Sequence, residues 1–587
     1  MKHIFFFFLL GILFIGASAK AQTLDTVYKY VVFFKNKANT PYNVNRPEEF
    51  LSERAIGRRT KQNITVQFND IPVNSWYVDS VIKRGAIYLN RSKWLNSLTV
   101  QTGGDTSIMS KIRTLPFVKR VILVSHFTKY AKKSNIDNSG IIDSGIKNRS
   151  KSTPQSFVNQ SIAKDFPMYN YGKSYDQVHM LGGDIMHSQG YRGDGVIIAV
   201  QDAGFFKVDK LPAFDSLWMN NQILVVKDFV EPWENVFTKS THGMMVLSII
   251  AGNLPGQLLG TGPKASFLLL RSEDAATETM VEEYNWVAAA EYSDSTGADI
   301  ISSSLGYTTF DDSTQNHTYA MLDGKTTVIT FGARMAASKG ILVVNSAGNS
   351  ADKPWHYIGA PADADSILAC AAVGADRVWA PFSSVGPSSD GRIKPDVSAM
   401  GYGTYISTST GSLGSGSGTS FSAPLIAGMC ACLWQANPSL SNMDMIRVIK
   451  ESCDRYSKPD DYYGFGIPNF SIANLIAKNV NIHSIDNESL ANVFPNPFYN
   501  NLYLVFSSAV SQQVVVELFD INGLRIYYNK NQVTNSGYSS MIIDNLDYLA
   551  EGLYFVRITA GGKVSTCKVL KKAYTATFSI DNGGELL

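Results

Sequence analysis

Short apolar runs alternate with segments of helical periodicity between about residues 171 and 475, and no other feature constrains the fold as strongly. The apolar runs cover residues 195–200, 266–270, 300–303, 341–345 and 367–373, and the helical segments cover 281–292, 333–338 and 422–435. Continuous apolar strands that alternate with helices indicate a parallel sheet covered on both faces. We therefore predict a doubly wound, mostly parallel α/β domain, with its functional loops at the carboxyl ends of the strands.

The regions that flank this domain have different compositions. At 587 residues the chain is too long for a single core. Residues 22–130 combine strand-like runs with one helical segment, 110–115, and predict a small α+β domain. Strand-like runs joined by Asn522-Gly523 and Gly561-Gly562 turns predict an all-β sandwich towards the carboxyl end. The predicted order is 1–21 signal peptide, 22–130 α+β domain, 131–168 linker, 169–478 α/β domain, 479–492 linker, 493–572 β-sandwich and 573–587 polar tail.

Charge and targeting signals exclude several classes of protein. The 52 basic and 50 acidic residues leave almost no net charge, so we do not expect nucleic acid as a partner. Lys2 and His3, an apolar run over 4–15 and small residues up to Ala21 are typical of a secretory signal peptide. No later run reaches the roughly 18 apolar residues of a membrane span. Five cysteines without paired C-x-x-C spacing predict neither a disulfide framework nor a zinc site.

Two polar residues follow predicted strands. Asp202 follows the run 195–200 and Gln201 and stands before Ala203-Gly204, so its carboxylate is expected at the carboxyl mouth of the sheet. Asn349 follows the run 341–345 within Ser-Ala-Gly-Asn, where its amide could donate to a developing oxyanion. Either residue alone is more often a turn former.

Two further residues precede apolar helical segments. His242 stands within Thr-His-Gly at the start of segment 244–251, where a lone histidine is usually a packed one. Ser420 lies in Gly-Thr-Ser-Phe-Ser-Ala-Pro, and we predict a central helix over 425–435 with Pro424 in its first turn. The partial positive charge of a helix N-terminus would stabilise an oxyanion formed after attack by Ser420. Ser420 could instead only cap the helix, and Ser422 is a rival nucleophile.

The four residues, in the order Asp202, His242, Asn349 and Ser420, resemble the subtilase family of serine peptidases, whose triad order distinguishes it from other triad folds. The stretches 302–306 (SSSLG), 382–387 (FSSVGP) and 394–397 (KPDV) are also similar to that family. One departure is Ala203, where the family commonly has Thr or Ser. The resemblance implies a subtilisin-like serine endopeptidase.

By this resemblance, Asp202 orients the imidazole, His242 is the general base, Ser420 forms the acyl-enzyme and Asn349 donates to the oxyanion. A hydroxyl needs a neighbouring base, and an imidazole with an ordinary pKa of about 6.5 suits that role. The backbone at Ser304, Leu305 and Gly306 would pair with the substrate as an added β-strand. No cofactor is required for this chemistry.

The flanking domains resemble parts of exported peptidases. Residues 23–130 are similar to an inhibitor-like propeptide, although a permanent binding domain is an alternative. Residues 493–571 resemble the C-terminal sorting domain of type IX secretion, and the tail 573–587 departs from its usual end. The resemblance implies a zymogen that is exported through the periplasm and is secreted or held at the cell surface. Its expected partners are a protein or peptide substrate, its own propeptide and the type IX secretion machinery.

Other interpretations of the same residues are less consistent with the sequence. An inactive exported binding or adhesive protein would not need all four catalytic positions. An esterase of the α/β-hydrolase type needs G-x-S-x-G and the order Ser, Asp, His. Subtilases often bind structural calcium, and oxygen ligands for it are available at Asp311, Asp312, Asp363 and Asp365.

Overall fold

The structure is a computed structural model that describes residues 24–130, 169–478 and 491–572, with short gaps in the last region at 495, 499–500, 509–511 and 535–536. The predicted signal peptide, the linker 131–168, most of the linker 479–492 and the tail 573–587 lie outside the described residues.

The N-terminal domain is an antiparallel sheet of four strands in the order β2-β3-β1-β4. Its elements are β1 (Leu24–Phe34), α1 (Glu53–Lys61), α2 (Ser75–Ile82), β2 (Ile87–Ser92), β3 (Ser97–Thr102), α3 (Ser107–Arg113) and β4 (Val118–Tyr130). Alternate residues of β1 face opposite sides of the sheet. Val32 and Phe34 pack with α2 and α3, whereas Val31 and Phe33 pack against Tyr284 of the next domain. The predicted α+β class is therefore confirmed, with two helices more than expected.

The central domain is built around a seven-stranded parallel sheet in the order β13-β12-β11-β10-β5-β9-β6. Its strands are β5 (Ile197–Asp202), β6 (Ile223–Asp228), β7 (Asn253–Leu254), β8 (Leu258–Leu259), β9 (Ser266–Arg271), β10 (Ile300–Ser303), β11 (Leu342–Ser346), β12 (Leu368–Val373), β13 (Val397–Met400), β14 (Thr404–Ser407) and β15 (Leu413–Gly416). Its helices are α4 (Tyr175–His179), α5 (Gly183–Ser188), α6 (Asp215–Met219), α7 (His242–Ala251), α8 (Val281–Thr296), α9 (Val328–Ser338), α10 (Thr419–Ala436), α11 (Asn442–Glu451) and α12 (Phe470–Ala477).

Two hydrophobic cores cover the two faces of this sheet. Ile198 and Val344 belong to the core that contains α7 and α10, whereas their neighbours Ala199 and Val343 belong to the core that contains α8 and α9. Because both faces are buried, the central strands are mostly apolar, and their polar residues lie at the carboxyl ends. This arrangement confirms the predicted doubly wound fold.

The strand order places a crevice at the carboxyl ends of two central strands. The chain runs from β5 through β6 to β9 on one side, and β10 then lies on the other side of β5. In open α/β sheets, ligands bind where the order reverses in this way, outside the carboxyl ends of the strands. The crevice between β5 and β10 is therefore the expected position of a functional site.

The C-terminal region is all-β, as predicted. Its strands are β16 (Ala491–Phe494), β17 (Leu502–Ser508), β18 (Gln512–Asp520), β19 (Arg525–Thr534), β20 (Gly537–Ile543), β21 (Gly552–Ala560) and β22 (Lys563–Lys571). They form two antiparallel sheets, β16-β17-β20 and β19-β18-β21-β22, around one core. Val505 of β17 packs on Ile472 of α12, which joins this region to the central domain.

The described residues contain neither a disulfide nor a helix able to cross a membrane. All five cysteines are free thiols, and four of them are buried. Within the described ranges, no helix has the length and hydropathy needed to cross a membrane.

Candidate active site

A cavity of about 360 Å³ opens at the carboxyl ends of the central strands. Six of the seven predicted site residues line it: His242, Ser304, Leu305, Gly306, Asn349 and Ser420. The seventh, Asp202, is fully buried behind His242. The fold therefore brings together residues that lie up to 218 positions apart in the chain, from Asp202 to Ser420.

Asp202 and His242 form a short hydrogen bond at the end of β5. The Nδ1–H of His242 donates to Oδ1 of Asp202 at 2.8 Å, and the backbone N–H of Ala203 donates to the same oxygen at 2.7 Å. This bond fixes the Nδ1–H tautomer and leaves Nε2 of the ring for the cavity. Burial disfavours the charged imidazole, but the charge and hydrogen bond of Asp202, together with Glu273, outweigh it and raise the pKa of His242 to about 9.

A glycine allows this close approach of β5 and α7. A Cβ on Gly243 would lie 2.4 Å from the carbonyl oxygen of Gly204 and 2.8 Å from Cβ of Asp202. Any larger residue would push the first turn of α7 away from the strand. On its other side, the imidazole of His242 stacks on the ring of Phe421 with 6.2 Å between centroids. The ring is therefore held by both strand and helix neighbours.

Helix α10 begins at Thr419, three residues before the predicted helical segment 422–435 and six before the predicted helix 425–435, so Ser420 lies in its first turn and Pro424 lies inside the helix. The earlier start follows from the hydrogen bonds that Asn349 makes to Thr419, which the sequence pattern does not reveal. Pro424 has no N–H to donate to the carbonyl of Ser420 four residues before it. That carbonyl instead accepts a hydrogen bond from the hydroxyl of Ser304 at 2.9 Å. The Ser420 hydroxyl in turn lies 3.4 Å from the carbonyl oxygen of Ser304.

Asn349 is oriented by the residue before Ser420. Its Oδ1 accepts the backbone N–H of Thr419 at 2.8 Å and the hydroxyl of Thr419 at 3.1 Å. The Nδ2 group is therefore the part of the amide that can donate into the cavity. The backbone N–H of Ser420, in the first turn of α10, has no partner within its own helix. These two donors can stabilise negative charge on an oxygen bound between them.

Two glutamates that the sequence analysis missed also line the cavity. Glu273 lies two residues after β9, and Glu278 lies in the loop between β9 and α8. Burial and the charge of Asp202 raise the pKa of Glu273 to about 8, and burial with the charge of Asp311 raises the pKa of Glu278 to about 7. The position of Glu273 after a buried strand, the same signal that identified Asp202, could have revealed it.

Each of the four acids considered as calcium ligands already makes a hydrogen bond or an ion pair within the protein. Asp311 accepts from the backbone of Glu278, and Asp312 accepts from Thr314. Asp363 accepts from Thr330 and Gly324, while Asp365 pairs with Arg334. No group of three or more potential ligands occurs among the described residues. These side chains do not fit a shared calcium site.

Comparison with known proteins identifies the family. Subtilisin of Bacillus pumilus is 30% identical to the chain over 300 residues, which cover 50% of this chain and 97% of that subtilisin. This chain belongs to the subtilase family. It is a serine endopeptidase, and the sequence profile of the Subtilase family matches its residues 193–466. Subtilisin NAT of Bacillus subtilis subsp. natto is 29% identical over 317 residues, covering 53% of this chain and 74% of that protein.

The parts of this subtilase on either side of the peptidase domain match two further families. Residues 29–139 match the Peptidase S8 propeptide domain of Bacteroidota, and residues 492–572 match the secretion system C-terminal sorting domain. Both predicted resemblances are thereby confirmed, and the sorting domain indicates export or a cell-surface location. Among solved structures, MycP1 from Mycobacterium smegmatis is 19% identical with a TM-score of 0.41, over 54% of this chain and 87% of that one.

Proposed function

We propose that this subtilase is an exported zymogen that hydrolyses peptide bonds through an acyl-enzyme on Ser420. The observation that supports it best is one cavity lined by His242, Ser420 and Asn349, with Asp202 bonded to His242 at 2.8 Å. These are the nucleophile, base, orienting acid and oxyanion donor that acyl transfer to a serine needs.

In the first half of the reaction, Nε2 of His242 in its neutral form, whose share rises with pH towards the pKa of about 9, removes the hydroxyl proton of Ser420 as Oγ bonds to the carbonyl carbon of the substrate. The resulting oxyanion accepts from Nδ2 of Asn349 and from the backbone N–H of Ser420. The imidazolium then gives its proton to the nitrogen of the breaking peptide bond, and the amine product leaves. Asp202 stays ionised and stabilises the imidazolium throughout.

In the second half, a water molecule loses a proton to Nε2 of His242 and attacks the ester carbonyl. The proton passes to Oγ of Ser420, and the acid product leaves. The carbonyls and N–H groups at Ser304 and Gly306 would hold the substrate backbone as a strand beside β10. Leu305 supports this segment, since its side chain is 4% exposed and packs in the core with α8 and α9.

The N-terminal domain is proposed to inhibit the peptidase before it is removed. Buried cations of this domain contact α8: Arg58 and Arg59 approach Asp294 at 2.6 and 2.8 Å, and Lys93 does so at 2.9 Å. The backbone N–H groups of Lys93 and Trp94 donate to Glu291 at 2.6 and 3.0 Å. These buried ion pairs and hydrogen bonds support a bound state that persists until the linker 131–168 is cut.

Export is proposed to begin with the signal peptide 1–21 and to end at the type IX secretion machinery, which would recognise the sorting domain 493–572. The product would be secreted or held at the cell surface. Mass spectrometry of the exported protein tests the domain boundaries, because its termini show which segments have been removed.

The direct test of the mechanism is Ser420→Ala in the full chain, measured by hydrolysis of a denatured protein and by labelling with a fluorophosphonate. Hydrolysis should fall to background and labelling should vanish. Ser422→Ala is the matched control, because this serine is buried and its hydroxyl donates to the carbonyl of Thr419 at 2.9 Å. Undiminished hydrolysis by the Ser420 variant would refute the assignment, and an unlabelled wild type would favour an inactive binding protein.

A further inference from the structure

One wall of the cavity is acidic. Glu273 and Glu278 line it on the segment that joins β9 to α8, beside His242, and Glu282 follows in the first turn of α8. We refer to Glu273, Glu278 and Glu282 as the acidic wall. No lysine or arginine is among the described residues that line the cavity. The nearby Arg271 is 2% exposed and already bonds to Asp228, Asp274 and the carbonyl of Ala203.

Glu282 is the observation that distinguishes this wall from an ordinary acidic loop. Its side chain is fully buried, and neither carboxylate oxygen has a hydrogen-bond partner among the described residues. The two strongest charges that act on it are those of Glu278 and Glu273, which line the cavity. The phenol of Tyr307 and the hydroxyl of Thr279, both buried, also lack partners in the described part of the chain.

Keeping several carboxylates ionised in and next to the protein interior costs free energy unless a positive charge neutralises them. Buried carboxylates that face one another are stabilised either by taking up protons or by pairing with a cation. Burial raises the pKa of Glu282 to about 10, with the charges of Glu278 and Glu273 adding to the effect. A metal ion is the less suitable cation, because no three potential ligands converge among the described residues. A lysine or arginine side chain is longer and can reach separated carboxylates one at a time.

We propose that the acidic wall is a specificity site for a lysine or arginine side chain of the substrate, positioned within a few residues of the scissile bond. The inference rests on the proposed peptidase function and adds the substrate class. Glu273 and Glu278 contact the cation, and the buried Glu282 becomes charged only when a bound cation compensates its carboxylate. The wall lies beside the imidazole of His242, so the cation it binds belongs to the same peptide chain whose carbonyl reaches Ser420.

The chain itself contains a substrate of this kind. The segment 131–168, which must be cut to separate propeptide from peptidase, has six basic residues and three acidic ones. Its basic residues are Lys132, Lys133, Lys147, Arg149, Lys151 and Lys164.

The experiment uses the full chain after self-processing and a set of internally quenched peptides. Each peptide places Lys, Arg, Leu or Glu at one of several positions on either side of a fixed cleavage site. We expect kcat/KM for Lys and Arg to exceed that for Leu by about tenfold to a hundredfold at one position, as for a partly desolvated charge pair. Glu278→Gln and Glu273→Gln should each reduce this ratio by about tenfold. An effect of either substitution on His242 would alter kcat/KM for the basic peptide and for the Leu peptide equally, because the same base acts on both. Such an effect therefore leaves the ratio of the two values unchanged.

Charge reversal separates recognition from damage. Glu278→Lys should shift the preference at the same position from Lys to Glu. Glu451→Gln is the matched control, since this partly buried glutamate of α11 pairs with Arg447 and does not line the cavity, and its ratio should equal that of the wild type.

The outcomes are distinguishable. Peptide hydrolysis without preference for a basic residue at any position would overturn the inference while leaving the peptidase function intact. A preference that survives both glutamine variants, or one that a chelator abolishes and a divalent cation restores, would also overturn it. Failure of the wild type to cleave any peptide would instead refute the proposed function.

Discussion

Replacing Asp294 by asparagine should loosen the contact between the propeptide domain and the peptidase domain. The carboxylate of Asp294 is fully buried and receives three cations from the propeptide domain: Arg58 at 2.6 Å, Arg59 at 2.8 Å and Lys93 at 2.9 Å. Asparagine keeps the shape of the side chain but leaves these cations buried without their shared anion. Asp70, 3.2 Å from Arg59, would remain as an acidic partner, and it also pairs with Lys339.

The magnitude follows from the burial of the network. Removing one partner of a buried ion pair costs about 3 to 5 kcal/mol, because the other charge stays desolvated. At 1.4 kcal/mol for each factor of ten, the variant propeptide should bind about a hundredfold to a few thousandfold more weakly. The exposed pair between Arg54 and Asp299 offers a comparison, since its arginine side chain is 41% exposed. Exposed pairs contribute about 0 to 1 kcal/mol, so Arg54→Gln should weaken binding by less than about sixfold.

The assay starts from the Ser420→Ala chain, which cannot process itself, with a site for an added protease inserted in the segment 131–168. After this site is cut, the propeptide is held by the interface alone, and its release from the immobilised peptidase gives the dissociation rate. Thermal unfolding before the cut shows whether each variant is folded. Dissociation of the Asp294→Asn complex at the rate of the Arg54→Gln complex would refute the buried network as the source of affinity.

Two further predictions concern pH and the oxyanion. Burial raises the pKa of Glu291 from 4.5 to about 7 in the complex, where its partners belong to the propeptide. If release of the propeptide returns this pKa towards 4.5, Glu291 is protonated in the complex but ionised in the free peptidase domain between about pH 4.5 and 7. The affinity for the propeptide should therefore fall by up to about tenfold per pH unit across this range and then level off. A binding curve against pH measures this, and Glu291→Gln should flatten it. Separately, Asn349→Ala should lower kcat by about a hundredfold to a thousandfold with little change in KM. A loss below tenfold in steady-state kinetics would argue against Asn349 as an oxyanion donor.

The central sheet was predictable because its strands are buried on both faces. The prediction for β10 matches the observed strand Ile300–Ser303, that for β9 differs by one residue at its end, and that for β11 differs by one residue at each end. The edge strands β6 and β13 were missed. In β6, Leu224 and Val226 are 39% and 38% exposed, because an edge strand lacks the covering that gives central strands their continuous apolar pattern.

Helix α1 was missed for a different reason. Its sequence, ERAIGRRTK, has little apolar character, and periodicity methods assign arginine to the solvent side. Yet Arg58 and Arg59 are among its buried residues, since Asp294 of another domain neutralises them. The periodicity of residues 53–61 carries no information about Asp294, which lies more than 230 positions away. The burial of Arg58 and Arg59 could therefore not be predicted from this segment alone.

The same distinction applies to the candidate site. Asp202, His242, Asn349 and Ser420 were identified because each stands at the end of a strand or the start of a helix, in an order that a family shares. Their roles remain proposals that the variants above test. Glu273 carries the same signal, because it lies two residues after β9, but it was overlooked, whereas Glu278 gave none, because isolated acids in a loop are usually solvated. Their importance is visible only in the structure, where both line the cavity and both act electrostatically on the buried Glu282.

Helix α8 links the two proposals physically. Its first turn contains Glu282 of the acidic wall, and its last turns contain Glu291 and Asp294, which hold the propeptide. Carboxylates near a helix C-terminus oppose the negative end of the helix dipole, and the last turn of α8 has no basic residue of its own. The propeptide supplies the missing charge: Arg58 pairs with Asp294 and also donates to the carbonyls of Asp294 and Ala298 at the end of the helix. Without its propeptide, the peptidase domain would leave the carboxylates and carbonyls at the C-terminus of α8 without these cationic partners. The propeptide should therefore help α8 to form during folding, as well as cover the domain afterwards.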